Sequence, residues 1–210
     1  MTLKIYTSML KLIKILILIL LILIARVFFD ELRFYNEAEK YFNENKILIA
    51  IDYYELAINQ YLPFSPIVKK ATLNLLKIGE NFEKKGKYKE ALYALENLRS
   101  AFLQARSFYT PNKNLIKELN YKIANIKTLI LQKKLKCNNY NTCFKKELEN
   151  LNSFNSEVST FWSFISCIFF LLWIFSVLLL IFNLKSIKLF YLILLNISTF
   201  LLWLITLYLT

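Results

Sequence analysis

At 210 residues and 57% hydrophobic, with a mean hydropathy of +0.41, this chain is too apolar to be one ordinary soluble domain. It has no histidine, two glycines and only Asp30 and Asp52 as aspartates. Those counts exclude a histidine acid–base pair, a histidine-based triad and a glycine-rich phosphate loop, so the sequence predicts a non-enzymatic protein that needs no cofactor. The net charge of +12 is not one basic surface: six cations flank apolar runs, leaving 21 basic residues against 15 acidic ones in the polar block. That block reads as a lysine-rich solvated surface, which disfavours nucleic acid as a partner.

Residues 1–29 read as an N-terminal transmembrane signal anchor. The run Ile15–Ala25 carries no charge, and Lys14 and Arg26 can snorkel. Leu12–Phe29 then offers a span of about 27 Å at helical rise. A cleavable signal peptide is the alternative, but no small-x-small pair suits a peptidase: Leu23 stands two positions before Ala25, and Val27, Phe28 and Phe29 follow.

The polar domain, residues 30–136, holds an internal repeat. Ala38, Tyr41, Ala50, Tyr54 and Ala57 correspond to Gly79, Phe82, Ala91, Leu95 and Leu98 at a constant offset of 41 residues. Gly86 turns the chain in the second copy, and Asn45-Lys46 takes that place in the first, since Asn also tolerates the left-handed conformation. Tyr61-Leu-Pro-Phe-Ser-Pro66 lengthens the connection between the copies. Two unrelated amphipathic hairpins are the alternative reading. Over about Asp30–Arg106 the pattern resembles the tetratricopeptide-like family, whose usual period is about 34 residues; Leu75 stands where that family has Trp. The resemblance implies a stack of α-hairpins that binds a protein on its concave side.

Thr110-Pro111 reads as an N-cap and first helical residue, followed by a long amphipathic helix with Leu115, Leu119, Ile123, Ile126 and Ile130 on one face. This helix is expected to cap the stack. Residues 137–157 form a Cys-bracketed turn and a juxtamembrane stub. Cys137 and Cys143 bracket an Asn-rich turn that can bring them within bonding range. A disulfide, free thiols and a metal site are the possibilities, although two thiols without histidine cannot close a tetrahedral site.

Residues 158–210 form a membrane hairpin of two apolar runs, with Lys185 and Lys188 in its loop. Its polar side chains include Asn196, which can bond across to another helix or stand as a tolerated amide. No acid or base lies inside either run, which disfavours an ion-coupled transporter. Trp162, Trp203 and Tyr208 are expected at one interface. Two crossings separate Lys4, Lys11 and Lys14 from Lys185 and Lys188, so one topology satisfies the positive-inside rule twice. It puts the N-terminus in the cytoplasm and the polar block outside a bacterial inner membrane, in the periplasm.

In a chain that writes most cations as Lys, Arg99 and Arg106 stand seven residues apart, at helical spacing. They read either as intramolecular salt bridges, to Glu96 or Glu55, or with Tyr109 as a clamp for a partner's carboxylates. The stretch RSFYTP, with the earlier YLP, is similar to uncharacterised proteobacterial inner-membrane proteins of the same layout; that resemblance covers about Tyr35–Pro111 and implies no activity.

The expected fold is all-α: an N-terminal membrane anchor, a tetratricopeptide-like stack with a capping helix, and a C-terminal membrane hairpin. The expected function is a scaffold or adaptor that recruits an unidentified envelope protein and has the lipid bilayer as its other partner. An accessory subunit of a transport or secretion complex, working through the C-terminal hairpin, is the alternative. A polyanion- or peptidoglycan-binding module using the lysines is a third reading, marked by steep salt dependence.

Overall fold

The structure, a computed structural model, describes residues 2–106, 109–153, 160–182 and 189–208. The Asn183–Lys188 loop with its two lysines, and the Ser107-Phe108 step of the RSFYTP stretch, lie outside them. Within the described residues the regular structure is all helical: α1 (Thr2–Asn43), α2 (Ile47–Asn59), α3 (Pro66–Lys84), α4 (Tyr88–Gln104), α5 (Lys113–Lys133), α6 (Tyr140–Ser153), α7 (Thr160–Phe182) and α8 (Leu189–Tyr208). Two compact units result. One holds Leu18–Arg106 and Thr110–Ser156, and the other holds the α7/α8 pair and the beginning of α1 as far as Ile17.

No break separates the apolar run from the polar block, because α1 continues through Phe29 and Asp30 to Asn43. There is no Gly or Pro in that interval to end it. Its polar end packs against α2: Tyr41 stacks on Tyr53 with centroids 5.2 Å apart, and Tyr35 meets Tyr54 at 5.9 Å. Next, α3 starts with Ser65 as N-cap, its Oγ accepting from the Ile67 and Val68 amides, and with Pro66 at the first helical position. Its direction follows from two contacts. Ser65 lies beside Glu31 and Asn74 beside Glu39, so α3 runs parallel to α1.

The two hairpins α1/α2 and α3/α4 close with the same turn. In the first, the Lys46 amide bonds the Tyr41 carbonyl at 2.9 Å with Asn45 at φ 59°. In the second, the Lys87 amide bonds the Phe82 carbonyl at 2.9 Å with Gly86 at φ 70°. All these positions are 41 residues apart. Burial repeats as well: Ala38, Ala50, Tyr54 and Ala57 are buried, and so are Gly79, Ala91, Leu95 and Leu98. The long-to-short wrap of α1 on α2 and of α3 on α4 therefore has one register, set by where the small residues let the helices approach.

Two boundaries differ from the sequence reading. Thr110 and Pro111 precede α5, whose N-cap is Asn112 in the left-handed region at φ 51°, so the helix begins two residues later. More consequentially, α5 does not end the stack alone, since α6 packs antiparallel against it. Tyr140 Oη donates to Asn125 at 2.7 Å, Asn120 Nδ2 to Asn152 Oδ1 at 2.9 Å, and Leu151 is buried in the shared core. The α5–α6 turn repeats the amide-to-carbonyl closure, Lys136 to Leu131 at 3.0 Å, with Leu135 at φ 55°. α6 is thus the second arm of a third hairpin rather than a bare juxtamembrane stub.

In the other unit, α7 and α8 are long and apolar enough to cross a membrane over Phe161–Ile181 and Phe190–Tyr208. Their contact face carries the small and polar side chains, with Ser163, Ser166, Ser176 and Thr206 buried. Asn196 bonds across the pair: its Nδ2 donates to Ser176 Oγ at 3.0 Å, and that oxygen lies 3.2 Å from Thr199 Oγ1. Ser176 and Thr206 also return their hydroxyls to carbonyls one turn back, so each is paired within an apolar surround. Trp203 stacks on Trp173 with ring centroids 5.8 Å apart, which places it in the helix–helix contact.

Candidate functional site

The arginine pair was the sharpest candidate site, and the structure separates its members. α4 ends at Gln104 with Ala105 as its C-cap, so Arg106 lies past the helix and does not share a helical face with Arg99. Arg99 is half-buried. Its Nε donates to Asn120 Oδ1 of α5 at 2.5 Å, and its Nη2 donates to the Leu151 carbonyl of α6 at 2.8 Å. Burial lowers its pKa, partly opposed by Glu96, with Arg106 nearby adding to the lowering.

Arg99 is therefore an internal tie across three helices, with two of its donors on an amide oxygen and a backbone carbonyl. Neither expected salt bridge is what holds it, for Glu96 instead meets Lys127 Nζ at 2.8 Å. Arg106 Nε donates to the Leu103 carbonyl at 2.8 Å, closing the end of α4. Tyr109, 39% exposed, lies in the link between α4 and α5.

Cys137 and Cys143 are bonded to each other, with their Cα atoms 6.3 Å apart. The bond joins the α5–α6 turn to the first turn of α6, and neither sulfur is left as a thiolate ligand.

Two polar clusters that sequence reasoning did not single out hold the first two hairpins together. Tyr54 Oη donates to Glu39 Oε1 at 2.7 Å, and Asn74 Nδ2 reaches the same oxygen at 2.8 Å, which ties α1, α2 and α3 at one point. Burial is the main cause of the raised Tyr54 pKa, and the bond to Glu39 adds to it. The second cluster is Glu31, completely buried although charged side chains are rarely so. Its Oε2 accepts from Ser65 Oγ at 2.7 Å, while Oε1 is buried with no hydrogen-bond partner among the described residues. Burial raises the Glu31 pKa, opposed by the Ser65 hydrogen bond and by the nearby Leu62 backbone.

On the opposite side, α2 and α4 are joined by exposed polar contacts. Tyr93 Oη donates to Asp52, and Asn59 Nδ2 donates to Gln104 Oε1 at 2.7 Å. On the first-helix side, Lys122 Nζ of α5 meets Glu80 of α3 at 2.8 Å. α3 and α5 both run antiparallel to α4 and so parallel to each other, and α1 runs parallel to α3. A periodic signal could have found Glu31 only as an acid two residues past an apolar run; nothing local marks it as buried. No family model, curated protein or solved structure matches the chain.

Proposed function

We propose that the chain is a non-enzymatic, membrane-held scaffold, whose stack of tetratricopeptide-like hairpins recruits an envelope protein along the surface made by α1, α3 and α5. The observation that carries this reading is the hairpin repeated at 41 residues with the same turn and the same buried positions. Stacked hairpins build an extended surface that one hairpin lacks, and such surfaces are used for protein binding. Three spans support the stack in this reading: α7, α8 and the apolar part of α1. From Leu18 to Arg26 every residue of α1 is exposed, over more than two helical turns, so none of its faces is covered within its own unit. The lysine distribution puts the N-terminus in the cytoplasm of a bacterial inner membrane and the stack in the periplasm.

The test is crosslinked capture from native membranes with the full chain and with a chain whose α7/α8 pair is exchanged for an unrelated membrane hairpin. A scaffold keeps its partner through the exchange. Loss of the partner would favour an accessory transport or secretion subunit that works through the hairpin. The topology is tested by a periplasm-active reporter, expected to be active after Lys134 and silent between Lys185 and Lys188.

A further inference from the structure

We propose that the α2–α3 turn is a second membrane contact, with the Phe64 ring seated at the headgroup–acyl boundary of the lipid bilayer beside Phe28 and Phe29. The inference rests on reading the apolar part of α1 as a membrane span, and it adds a surface that the span alone does not require.

The geometry starts from Glu31. The Glu31 carboxylate is buried against the turn and accepts from Ser65 Oγ, and the Ser65 amide closes the turn onto the Leu62 carbonyl at 3.1 Å, so the Leu62–Ser65 segment is fastened at the level of residue 31 on α1. Phe29, 66% exposed, precedes Glu31 by two residues, about 3 Å along the same unbroken helix. Because α3 runs parallel to α1, the α2–α3 turn lies at the end of the stack from which the apolar run extends, and the Asn45 and Gly86 turns lie at the other end. The depth of the turn relative to a bilayer around α1 is then fixed by covalent geometry and these hydrogen bonds.

Phe64 is fully exposed at that place. It is also held at φ 67°, a conformation that bulky residues avoid and that Gly or Asn would take with less strain. A polar turn residue would suit water better on both counts. An aromatic ring suits the interface of a membrane, where apolar surface is removed from water. The charges around it fit the same occupant. Arg26 and Arg33 on α1, and Lys69 and Lys70 on the first turns of α3, are all exposed near this end and outnumber Asp30, which suits anionic headgroups.

A matched control lies at the other end. Leu135 is also apolar, 90% exposed and at positive φ (55°), but it sits in the α5–α6 turn next to the Gly86 turn, since Lys133 of α5 lies over the Tyr88 ring at 4.4 Å. Phe64 and Leu135 are both exposed apolar side chains at positive φ, and they lie at opposite ends of the stack.

The experiment uses the full chain in vesicles of phosphatidylethanolamine and phosphatidylglycerol, with the photoreactive p-benzoylphenylalanine replacing Phe29, Phe64 or Leu135 singly. All three side chains are exposed, so the fold has room for the larger ring. Lipid adducts at positions 29 and 64, at least fivefold above position 135, are expected. Adduct at 29 without adduct at 64 overturns this inference and leaves α1 as a span. No adduct at 29 or 64 overturns the span reading and the inference with it. Equal labelling at 64 and 135, or a protein adduct at 64 in place of lipid, also overturns the lipid contact.

Discussion

Gly79 of α3 lies so close to Leu95 of α4 that a Cβ added there would stand 2.8 Å from Leu95 Cδ2 and 3.0 Å from its Cγ. The two helices approach to this distance because Gly79 has no side chain and Ala91, one turn before Leu95, is fully buried with a single methyl group.

Gly79→Ala gains about 1 kcal/mol of helix propensity and overpacks a filled site at a cost of about 1–3 kcal/mol, so a net loss of about 1 kcal/mol is expected. In a Leu95→Val background the same substitution should be neutral or stabilising. Ala91→Leu and its counterpart Ala50→Leu should each cost about 1–3 kcal/mol, and Lys89→Ala on the exposed side under about 0.5. Denaturant melts of the full chain in detergent check all five. Equal, small effects at Ala50, Ala91 and Lys89 would show that the repeated register does not carry the packing.

Arg99→Lys keeps the charge, but an ammonium cannot reach the Asn120 oxygen and the Leu151 carbonyl together. One buried acceptor is left without its donor, which costs about 1–3 kcal/mol. The loss should be concentrated in α6, read as faster amide exchange over Tyr140–Ser153. If exchange there is unchanged while partner capture falls, Arg99 faces a partner after all and the tie across the three helices is of no consequence.

The buried Glu31 makes stability depend on pH with a definite sign. Its pKa is raised in the folded protein, so between the ordinary value of 4.5 and the raised one the folded state binds more protons than the unfolded chain. The stabilisation is fully present below 4.5 and is lost as pH rises through the raised value. Glu31→Gln removes that dependence while keeping an acceptor for Ser65. The melting temperature of the variant relative to the natural chain should therefore be highest at neutral pH and fall on acidification. A difference that does not change with pH would mean that Glu31 is solvated.

Reducing the Cys137–Cys143 bond opens a loop with a sequence separation of 6. Loop-closure entropy for a loop of that size is worth about 2 kcal/mol. The loss should loosen the α5–α6 turn and leave α1–α4 unchanged, as measured by amide exchange with and without reductant. Maleimide labelling of both thiols in chains taken directly from cells would oppose an oxidising compartment for the stack.

Local pattern determined much of this protein. Helix type, the offset of 41 residues between Ala38 and Gly79, and the apolar lengths of α7 and α8 all follow from side-chain periodicity within a few turns. The left-handed turn at Asn45 was legible for the same reason, because only a few residue types accept that backbone. Tertiary structure alone decided the rest. Leu148 and Leu151 look like a short amphipathic tail until α6 folds back on α5, and Arg99 finds Leu151 at a separation of 52 residues. The burial of Glu31 depends on a turn 34 residues away. Periodicity records which face of a helix is apolar, but the partner of each face is chosen by packing between elements distant in the chain.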